Sequence, residues 1–233
     1  MSPPQEFIGR VMKKGVLTPK ILHVHLALLD PPAIQFRAGQ FLQFVIAPRV
    51  LRQYSICSPP SRSGEVELCV DVTPGGAGSQ FITALRDGDA VRFRGPFGVF
   101  IVSEGEQRPL EFVATGAGIA PLRSMIYDLL ERRENVSLRL LFGNRSEDVL
   151  MYDQEFRELA ARDPRFRYVP TLSRPSAEWT GERGRVMDVL QRWNDFRESP
   201  FYLCGSPAMV DDTRRILKAR GVPPQDIHFE KFT

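Results

Sequence analysis

The sequence has little cysteine, and the cysteines it has are scattered. Its 233 residues contain three, Cys57, Cys69 and Cys204, and no two of them show C-x-x-C spacing. An odd, scattered set does not form a disulfide framework, and it is too small to supply the four thiolates of an iron–sulfur cluster. We therefore expect a cytoplasmic protein with reduced thiols and no metal centre.

Long apolar runs and a strong charge of one sign are also missing. No apolar run approaches the roughly 20 residues that a membrane-spanning helix needs, and the N-terminal segment Met1–Glu6 lacks the charged-then-apolar order of a signal peptide. The formal net charge is only +3, and basic residues are not interleaved with aromatic ones. We therefore expect neither a membrane nor a nucleic acid as partner.

The pattern of apolar and polar residues differs between the two halves of the chain. The first half alternates apolar and polar residues, most clearly over Gly64–Val72, between proline and glycine turns, which is typical of a barrel or sandwich. In the second half, short apolar strands alternate with amphipathic helices, which predicts a parallel sheet covered on both faces. The polar stretch Ser103–Pro109 separates the two patterns. We expect one domain over residues 1–105 and another over residues 106–233.

A glycine-containing turn opens the second pattern. Thr115–Pro121 reads T-G-A-G-I-A-P between a predicted strand and a predicted helix. Glycines there let the backbone approach a pyrophosphate, and helix N-terminal amides attract the anion; a plain strand-to-helix turn explains these residues equally well. After the next predicted strand come Asn144 and Arg145. Arg145 favours a nucleotide with a 2′-phosphate, and a solvated loop arginine is the alternative.

A second constellation lies in the first half. The segment Arg52–Ser55 reads R-Q-Y-S, and the glycine-rich stretch Gly75–Ser79 opens a short predicted helix. Arginine can hold a pyrophosphate with its fork of donors, tyrosine offers a flat face and a hydroxyl, and serine can donate to a ring nitrogen. Taken alone, a strand with an exposed arginine and a tight turn is the better explanation. Together with the second motif, these residues favour a cofactor site.

In combination, these segments resemble the ferredoxin–NADP reductase superfamily of flavoproteins over essentially the whole chain. The resemblance implies a two-domain fold: a six-stranded antiparallel β-barrel that binds FAD, then an α/β domain with a five-stranded parallel sheet that binds NADPH or NADH. The matching motifs are R-x-Y-S at Arg52–Ser55, G-x-x-S at Gly76–Ser79, G-P-x-G at Gly95–Gly98, T-G-x-G-x-x-P at Thr115–Pro121, C-G-x-x-x-M at Cys204–Met209 and an E-x-F ending at Glu230–Phe232.

The resemblance also implies roles for the matched residues. The residues expected to act beside the reacting rings are Ser55, Cys204 and Glu230. The expected FAD contacts are Arg52, Gln53, Tyr54, Ser55, Gly76, Gly78 and Ser79. The expected nucleotide contacts are Thr115, Gly116, Gly118, Pro121, Asn144, Arg145, Cys204, Gly205 and Met209, and the residue expected to cover the flavin ring is Phe232.

The implied activity is hydride transfer from NAD(P)H to FAD, followed by single-electron transfer to a separate ferredoxin, flavodoxin or oxygenase component. The expected protein is a monomer. A reductase of free flavins is one alternative. The Gly75–Ser79 stretch favours a retained FAD instead, because FMN would not use all the pyrophosphate contacts that this stretch provides. Another alternative is a module that binds flavin or nucleotide without turnover, which the presence of Arg52, Tyr54 and Ser55 disfavours.

Overall fold

The structure is a computed structural model that describes residues 4–132, 135–194 and 198–232. The expected outer domain limits, Met1 and Thr233, lie outside the described residues. Contacts between residues divide the chain into two units. The first runs to Val102 and includes Ala120–Asp128, and the second contains Ser103–Ile119 and continues from Leu129.

The first unit is built on an antiparallel sheet of six strands in the order β4-β3-β6-β1-β2-β5. Ile56, just after β4, forms an antiparallel bridge with Leu68 of β5, which joins the two outer strands and closes the sheet into a barrel. The six-stranded antiparallel barrel is therefore confirmed. Its strands are β1 (Gln5–Thr18), β2 (Ile21–Asp30), β3 (Phe41–Ala47), β4 (Val50–Ser55), β5 (Glu65–Asp71) and β6 (Ala90–Phe97).

The interior of this barrel is apolar because alternate residues of each strand point inward. Phe44 stacks on Phe93 with ring centroids 5.0 Å apart, and Phe93 stacks on Phe7 at 5.5 Å. Helix α1 (Ala77–Ala84) adds Ile82, fully buried in the same core. This packing fixes β4 and the beginning of α1, where the predicted FAD residues lie.

The second unit contains a parallel sheet in the order β10-β9-β8-β7-β11-β12. The expected sheet had five strands; the sixth, β10, has two residues and pairs with the end of β9. A strand this short carries no readable alternation, which explains why the sequence did not predict it. The strands are β7 (Leu110–Thr115), β8 (Leu138–Asn144), β9 (Phe166–Leu172), β10 (Glu182–Arg183), β11 (Phe201–Gly205) and β12 (Ile227–Lys231).

Parallel strands place all their carboxyl ends at one edge of the sheet, where ligands bind in folds of this kind. In this unit that edge carries Thr115, Asn144 and Gly205, the last residues of three neighbouring strands. Helix α2 (Ile119–Glu131) follows β7 in the chain, and most of it belongs to the first unit. The other helices of the second unit are α3 (Asp153–Arg162), α4 (Val186–Arg192) and α5 (Pro207–Ala219). No helix among the described residues is long and apolar enough to cross a membrane.

Candidate cofactor sites

The first unit brings its two predicted motifs together. A Cβ on Gly78 would lie 2.8 Å from the Tyr54 hydroxyl and 2.9 Å from Cγ of Arg52, so the first turn of α1 packs directly on β4. We call Arg52, Tyr54, Ser55 and the turn Gly76–Ser79 the first half-site. Glycine suits this approach, because a Cβ at position 78 would displace the side chains of Tyr54 and Arg52.

The first half-site presents hydrogen-bond donors that the described residues leave available. The exposed Arg52 side chain donates to its neighbour, the Leu51 carbonyl, at 2.8 Å. The N-cap Gly76 has no side chain to cap α1, and the first helical bond is from the Gln80 amide to the Gly76 carbonyl, at 3.0 Å. The preceding first-turn amides therefore have no partner within the helix and favour an anion.

Tyr54 supplies a second kind of contact. Its hydroxyl is buried without a hydrogen-bond partner among the described residues, and its ring packs edge-on against Phe44 at 5.4 Å. Burial raises the pKa of this phenol, and the nearby Arg52 charge opposes that rise. The hydroxyl therefore stays protonated and can donate to a ligand. Ser55, the next residue, is buried at the end of β4.

Along β4 the predicted FAD residues alternate between two faces, with Arg52 and Tyr54 on one and Gln53 and Ser55 on the other. Gln53 is exposed and pairs with Gln43 of β3. Its backbone lies within the half-site, and a role for its side chain stays a prediction.

The second unit builds its half-site by close backbone approach. A Cβ on Gly118 would lie 2.3 Å from the Cys204 carbonyl oxygen, and a Cβ on Gly205 would lie 2.3 Å from Oγ1 of Thr115 and 2.7 Å from Cε of Met209. These five residues are therefore in direct proximity. We call them the second half-site, together with the predicted residues Gly116, Asn144, Arg145, Glu230 and Phe232.

Two glycines of the second half-site also need unusual backbone angles. Gly116 has φ +55° and Gly205 has φ +154°, both in the region that side chains disfavour. Gly116 faces open space, since nothing would lie within 4 Å of a Cβ added there. The turn therefore leaves room for a ligand beside Gly116 and closes against β11 at Gly118. Pro121, buried in the first turn of α2, needs no amide partner there.

Two polar atoms at the carboxyl edge of this sheet lack protein partners. Oγ1 of Thr115 and Nδ2 of Asn144 are buried and make no hydrogen bond among the described residues. Arg145 is exposed, and its carbonyl accepts from the Arg174 amide at 2.7 Å, which brings the loops after β8 and β9 side by side. A nucleotide at this edge could therefore contact the Asn144 amide, the Thr115 hydroxyl and the side chains of two arginines.

Cys204 and Glu230 form the titratable part of the second half-site. They face each other in the β11–β12 pair, and Oε2 of Glu230 is buried without a partner among the described residues. Burial raises the pKa of Glu230 to about 7. Burial, with the adjacent Glu230 carboxylate, raises the pKa of the Cys204 thiol well above its usual value. Near neutral pH the thiol is therefore neutral, and the carboxyl can hold or release a proton.

The residues at the end of β12 are bonded to the same region. The Phe232 amide donates to the Gly205 carbonyl at 2.9 Å, and Lys231 forms an ion pair with Asp211 at 2.8 Å. At the start of α5, the hydroxyl of Ser206 accepts from the Met209 amide at 3.3 Å. Glu230, Phe232 and Met209 are thus held beside β11 and the turn that follows it.

The donor set fits the cofactors that the motifs imply. Tyr54, Thr115, Asn144 and Glu230 each carry a buried polar atom without a partner among the described residues, and all four are predicted site residues. Buried polar atoms are rarely left unpaired, so these four atoms are available to a ligand; atoms of the same kind also occur outside the predicted set, at Asp153, Tyr168 and Arg214. The unpaired first-turn amides of α1 and the Arg52 donors suit a pyrophosphate.

Comparison with known proteins supports this assignment. The family model of the oxidoreductase FAD-binding domain matches residues 9–101, and that of the oxidoreductase NAD-binding domain matches residues 112–215. Ferredoxin–NADP reductase B of Sorangium cellulosum is 33% identical, and the alignment covers all of both chains. The chain belongs to the ferredoxin–NADP reductase superfamily. Its cofactors are accordingly FAD and NAD(P)H.

Other members of the superfamily are longer than this chain. The reductase component of phenol 2-monooxygenase from Pseudomonas sp. strain CF600 is 38% identical over 99% of the chain, which spans 66% of that relative. The crystal structure of the cytochrome P450 reductase of Amycolatopsis superposes with a TM-score of 0.91 at 29% identity, covering the whole chain and 71% of that protein. The chain thus spans about two thirds of the length of these relatives.

A buried polar network beside the first half-site was not predicted from the sequence. Arg123 of α2 and Glu67 of β5 form an ion pair at 2.9 Å, with both side chains at or below 10% exposure. Glu67 occupies a polar position in an alternating strand, which predicts a solvent-facing side chain. The one available signal was an arginine within the apolar residues of α2, and it gave no indication of a partner.

Proposed function

We propose that this protein is an FAD-dependent NAD(P)H oxidoreductase that passes electrons to a separate protein acceptor. The observation that carries the proposal is that four predicted site residues, spread over both half-sites, carry a buried polar atom without a hydrogen-bond partner among the described residues. When bound, the two cofactors supply hydride transfer from nicotinamide to flavin and release of single electrons. The residues of the chain supply binding, orientation and proton control.

In this proposal the first half-site holds FAD. Arg52 and the first-turn amides of α1 bind the pyrophosphate as charge-assisted and dipole-assisted donors. The Tyr54 hydroxyl donates to the flavin portion, and the Ser55 hydroxyl stabilises negative charge on the reduced ring. Gly78 is required because a larger residue would move both Arg52 and Tyr54.

In this proposal the second half-site binds the nucleotide, and its Glu230 carboxyl holds or releases a proton. Gly116 gives the pyrophosphate access to backbone amides. The Thr115 hydroxyl, which has no partner in the described part of the chain, is available to the nicotinamide amide group. The neutral Cys204 thiol excludes water without acting as a nucleophile, since burial keeps its pKa high. With a pKa of about 7, the Glu230 carboxyl can store a proton at Oε2 near neutral pH. Phe232 is proposed to cover the flavin until the nicotinamide displaces it.

We further propose that NADPH is preferred over NADH. Arg145 and Arg174 are exposed on adjacent loops joined by a 2.7 Å backbone hydrogen bond. Glu147 lies in the same loop as Arg145, and its negative charge would repel a phosphate. Its carboxylate accepts a hydrogen bond from the Ser176 amide at 2.9 Å, which directs it toward the protein backbone. Two guanidinium groups suit a 2′-phosphate better than a ribose hydroxyl.

The acceptor is proposed to be a ferredoxin, flavodoxin or oxygenase component. Support comes from the names of the relatives, which are a reductase component of a phenol monooxygenase and a cytochrome P450 reductase. A monomer in the cytoplasm is part of the same proposal. The three cysteines form no disulfide among the described residues, which agrees with a reducing compartment.

An anaerobic titration tests the proposal. The purified protein is mixed with FAD, excess flavin is removed, and NADPH and NADH are added separately while the visible flavin band is followed. We expect retained FAD that is bleached by NADPH at the lower concentration. Retained flavin that neither nucleotide bleaches would contradict the reductase function and favour a binding module. Loss of flavin with NAD(P)H consumption upon addition of free flavin would favour a free-flavin reductase.

A further inference from the structure

The residues directly after the first half-site are held by several buried polar contacts. We call Ile56–Ser58 the anchor segment; it follows Ser55 without a break. The Cys57 amide donates to the Glu67 carbonyl at 2.8 Å, and the Cys57 carbonyl accepts from Nη1 of Arg123 at 2.8 Å. Both backbone groups of Cys57 are therefore fixed.

Ser58 is held equally closely. Its carbonyl accepts from the Ser124 hydroxyl at 2.7 Å, and its own hydroxyl accepts from the Glu67 amide at 3.1 Å. Ser58 and Ser124 are both fully buried. Two consecutive residues, Arg123 and Ser124, thus hold the carbonyls of two consecutive residues of the anchor segment.

A buried ion pair stands behind these contacts. The same Nη1 of Arg123 that binds the Cys57 carbonyl lies 2.9 Å from Oε2 of Glu67. Glu67 also pairs with Arg62 at 2.8 Å and lies 3.5 Å from Nε2 of His23. Burial alone would raise the pKa of Glu67, but the His23 hydrogen bond and the charges of Arg123, His23 and Arg62 hold it at about 2. The carboxylate is therefore ionised across the physiological range.

This cluster is poorly suited to a metal ion. Ligand atoms of His23, Cys57 and Glu67 lie within 4.8 Å of one another, which is compatible with metal-ligand spacing. However, the Glu67 carboxylate already accepts from two guanidinium groups, those of Arg62 and Arg123. Two positive charges would repel a cation at this place.

General stability does not explain the arrangement. A buried ion pair is on average no more stabilising than apolar residues of the same volume, because both charges lose their hydration. The pair restricts the position of the anchor segment, because Arg123 can bind the Cys57 carbonyl and Glu67 together only when that segment has one position. Since consecutive Cα atoms are a fixed distance of about 3.8 Å apart, that position limits where Ser55 and Tyr54 can lie.

We propose that Arg123 and Glu67 are positioning residues for the flavin, acting through the Cys57 backbone on Tyr54 and Ser55. This inference rests on the function proposed above. Neither residue contacts the cofactor in this proposal. Their effect is on the orientation and electronic environment of the flavin ring.

The test compares two buried ion pairs of the same chain. Arg123→Met and Glu67→Gln disrupt the pair beside the flavin strand. Arg139→Met and Glu111→Gln disrupt the buried pair of the second unit, whose atoms are 2.7 Å apart and whose residues are 9% and 3% exposed. For each FAD-loaded variant the measurements are the FAD dissociation constant, the visible spectrum of bound FAD and the reduction rate at saturating NADPH. Thermal stability without FAD is measured in parallel.

We expect the Arg123 and Glu67 variants to weaken FAD binding about tenfold, to shift the flavin spectrum and to slow its reduction, since a charged buried hydrogen bond is lost. The Arg139 and Glu111 variants should lose stability without these flavin changes. Arg123→Lys, which keeps the charge, should restore part of the flavin spectrum. Ser124→Ala, a small change that removes one neutral hydrogen bond, should raise the FAD dissociation constant about two- to threefold.

If Arg123→Met, Arg123→Lys and Ser124→Ala all bind FAD with wild-type affinity, spectrum and reduction rate, the positioning role is wrong, whatever their thermal stability. If Arg123→Met does not fold, the FAD affinity, flavin spectrum and reduction rate of Ser124→Ala still test the positioning role. Wild-type protein that binds no FAD would instead contradict the proposed function itself and, with it, this inference. The two failures are therefore distinguishable by the wild-type measurement.

Discussion

The two half-sites reach similar ends by different physical means. The first relies on charge and hydrogen bonding at exposed or half-buried positions, such as Arg52 and Tyr54, beside a helix N-terminus. The second relies on backbone proximity, with Gly118 and Gly205 against Cys204 and Thr115. Both half-sites contain buried polar atoms that are available to a ligand, but they differ in how well the fold tolerates a substitution.

This difference separates binding from folding. Removing an exposed arginine takes away a ligand contact and little of the fold, because its protein contacts are few. Adding one methyl group where two backbone segments touch forces the backbone apart. Substitutions of exposed side chains such as Arg52 should therefore affect cofactor affinity first, and substitutions at close backbone approaches such as Gly118 should affect stability first.

The largest effect is expected from Gly118→Ala. Its Cβ would meet the Cys204 carbonyl at 2.3 Å, and backbone atoms cannot rotate away. We expect a loss of roughly 3 kcal/mol in the free energy of unfolding, measured by urea denaturation. Gly76→Ala is the matched control in the first half-site, because nothing lies within 4 Å of its Cβ position and its φ is −73°. Equal stability of the two variants would contradict the close approach.

Arg52→Ala should have the next largest effect, and on binding alone. Loss of a charge-assisted pyrophosphate contact should weaken FAD binding about a hundredfold. The unfolding transition of the FAD-free protein should stay within about 0.5 kcal/mol of wild type, because the side chain is exposed. Fluorescence titration with FAD measures the affinity. An unchanged dissociation constant would remove Arg52 from the site.

Glu230→Gln should change how stability depends on pH. The carboxyl has a pKa of about 7 in the folded protein, against an ordinary value of 4.5. As pH rises between these values, the unfolded state loses its proton while the folded state keeps it, so wild-type stability falls. The full difference in pKa corresponds to about 3 kcal/mol. Because the side chain is only partly buried, we expect a loss of roughly 2 kcal/mol, which should be absent from the Gln variant. Parallel pH profiles of the two proteins would show that Glu230 titrates normally.

Arg145→Ala is expected to have the smallest effect, limited to one coenzyme. Loss of one arginine from the carboxyl edge of the second sheet should raise the dissociation constant for NADP⁺ about tenfold and leave that for NAD⁺ nearly unchanged. Isothermal titration gives both values. Arg167→Ala, an exposed arginine of β9 outside the half-site, serves as control. A similar change for both nucleotides would contradict the assignment to the 2′-phosphate.

Turns and motifs were the readable part of this sequence. Gly116–Gly118 and Cys204–Gly205 could be placed at strand ends because glycine and the change of period mark such ends directly. Strand β1 could not be read in the same way. Its 14 residues pair with β2 through three register shifts, and each shift interrupts the alternation on which strand prediction depends.

Buried charges were the unreadable part. A glutamate such as Glu67 in a strand, or an arginine such as Arg123 in a helix, is ordinarily exposed, and sequence spacing does not show that residues 56 positions apart will meet. The family resemblance placed Thr115 and Cys204 at one site, but the residue pattern alone did not show that they are neighbours, because that depends on the order of strands in the sheet. The motifs named the half-sites, and only the three-dimensional structure showed what supports them.

The most direct test of the two-half-site arrangement is whether FAD and a nucleotide bind at the same time. Isothermal titration of FAD-loaded protein with NADP⁺, which cannot reduce the flavin, measures this without turnover. We expect one nucleotide per chain with FAD still bound, and we expect Arg52→Ala to weaken FAD binding without weakening NADP⁺ binding measured in the absence of FAD. Displacement of FAD by NADP⁺, or competition between them for one site, would contradict the arrangement.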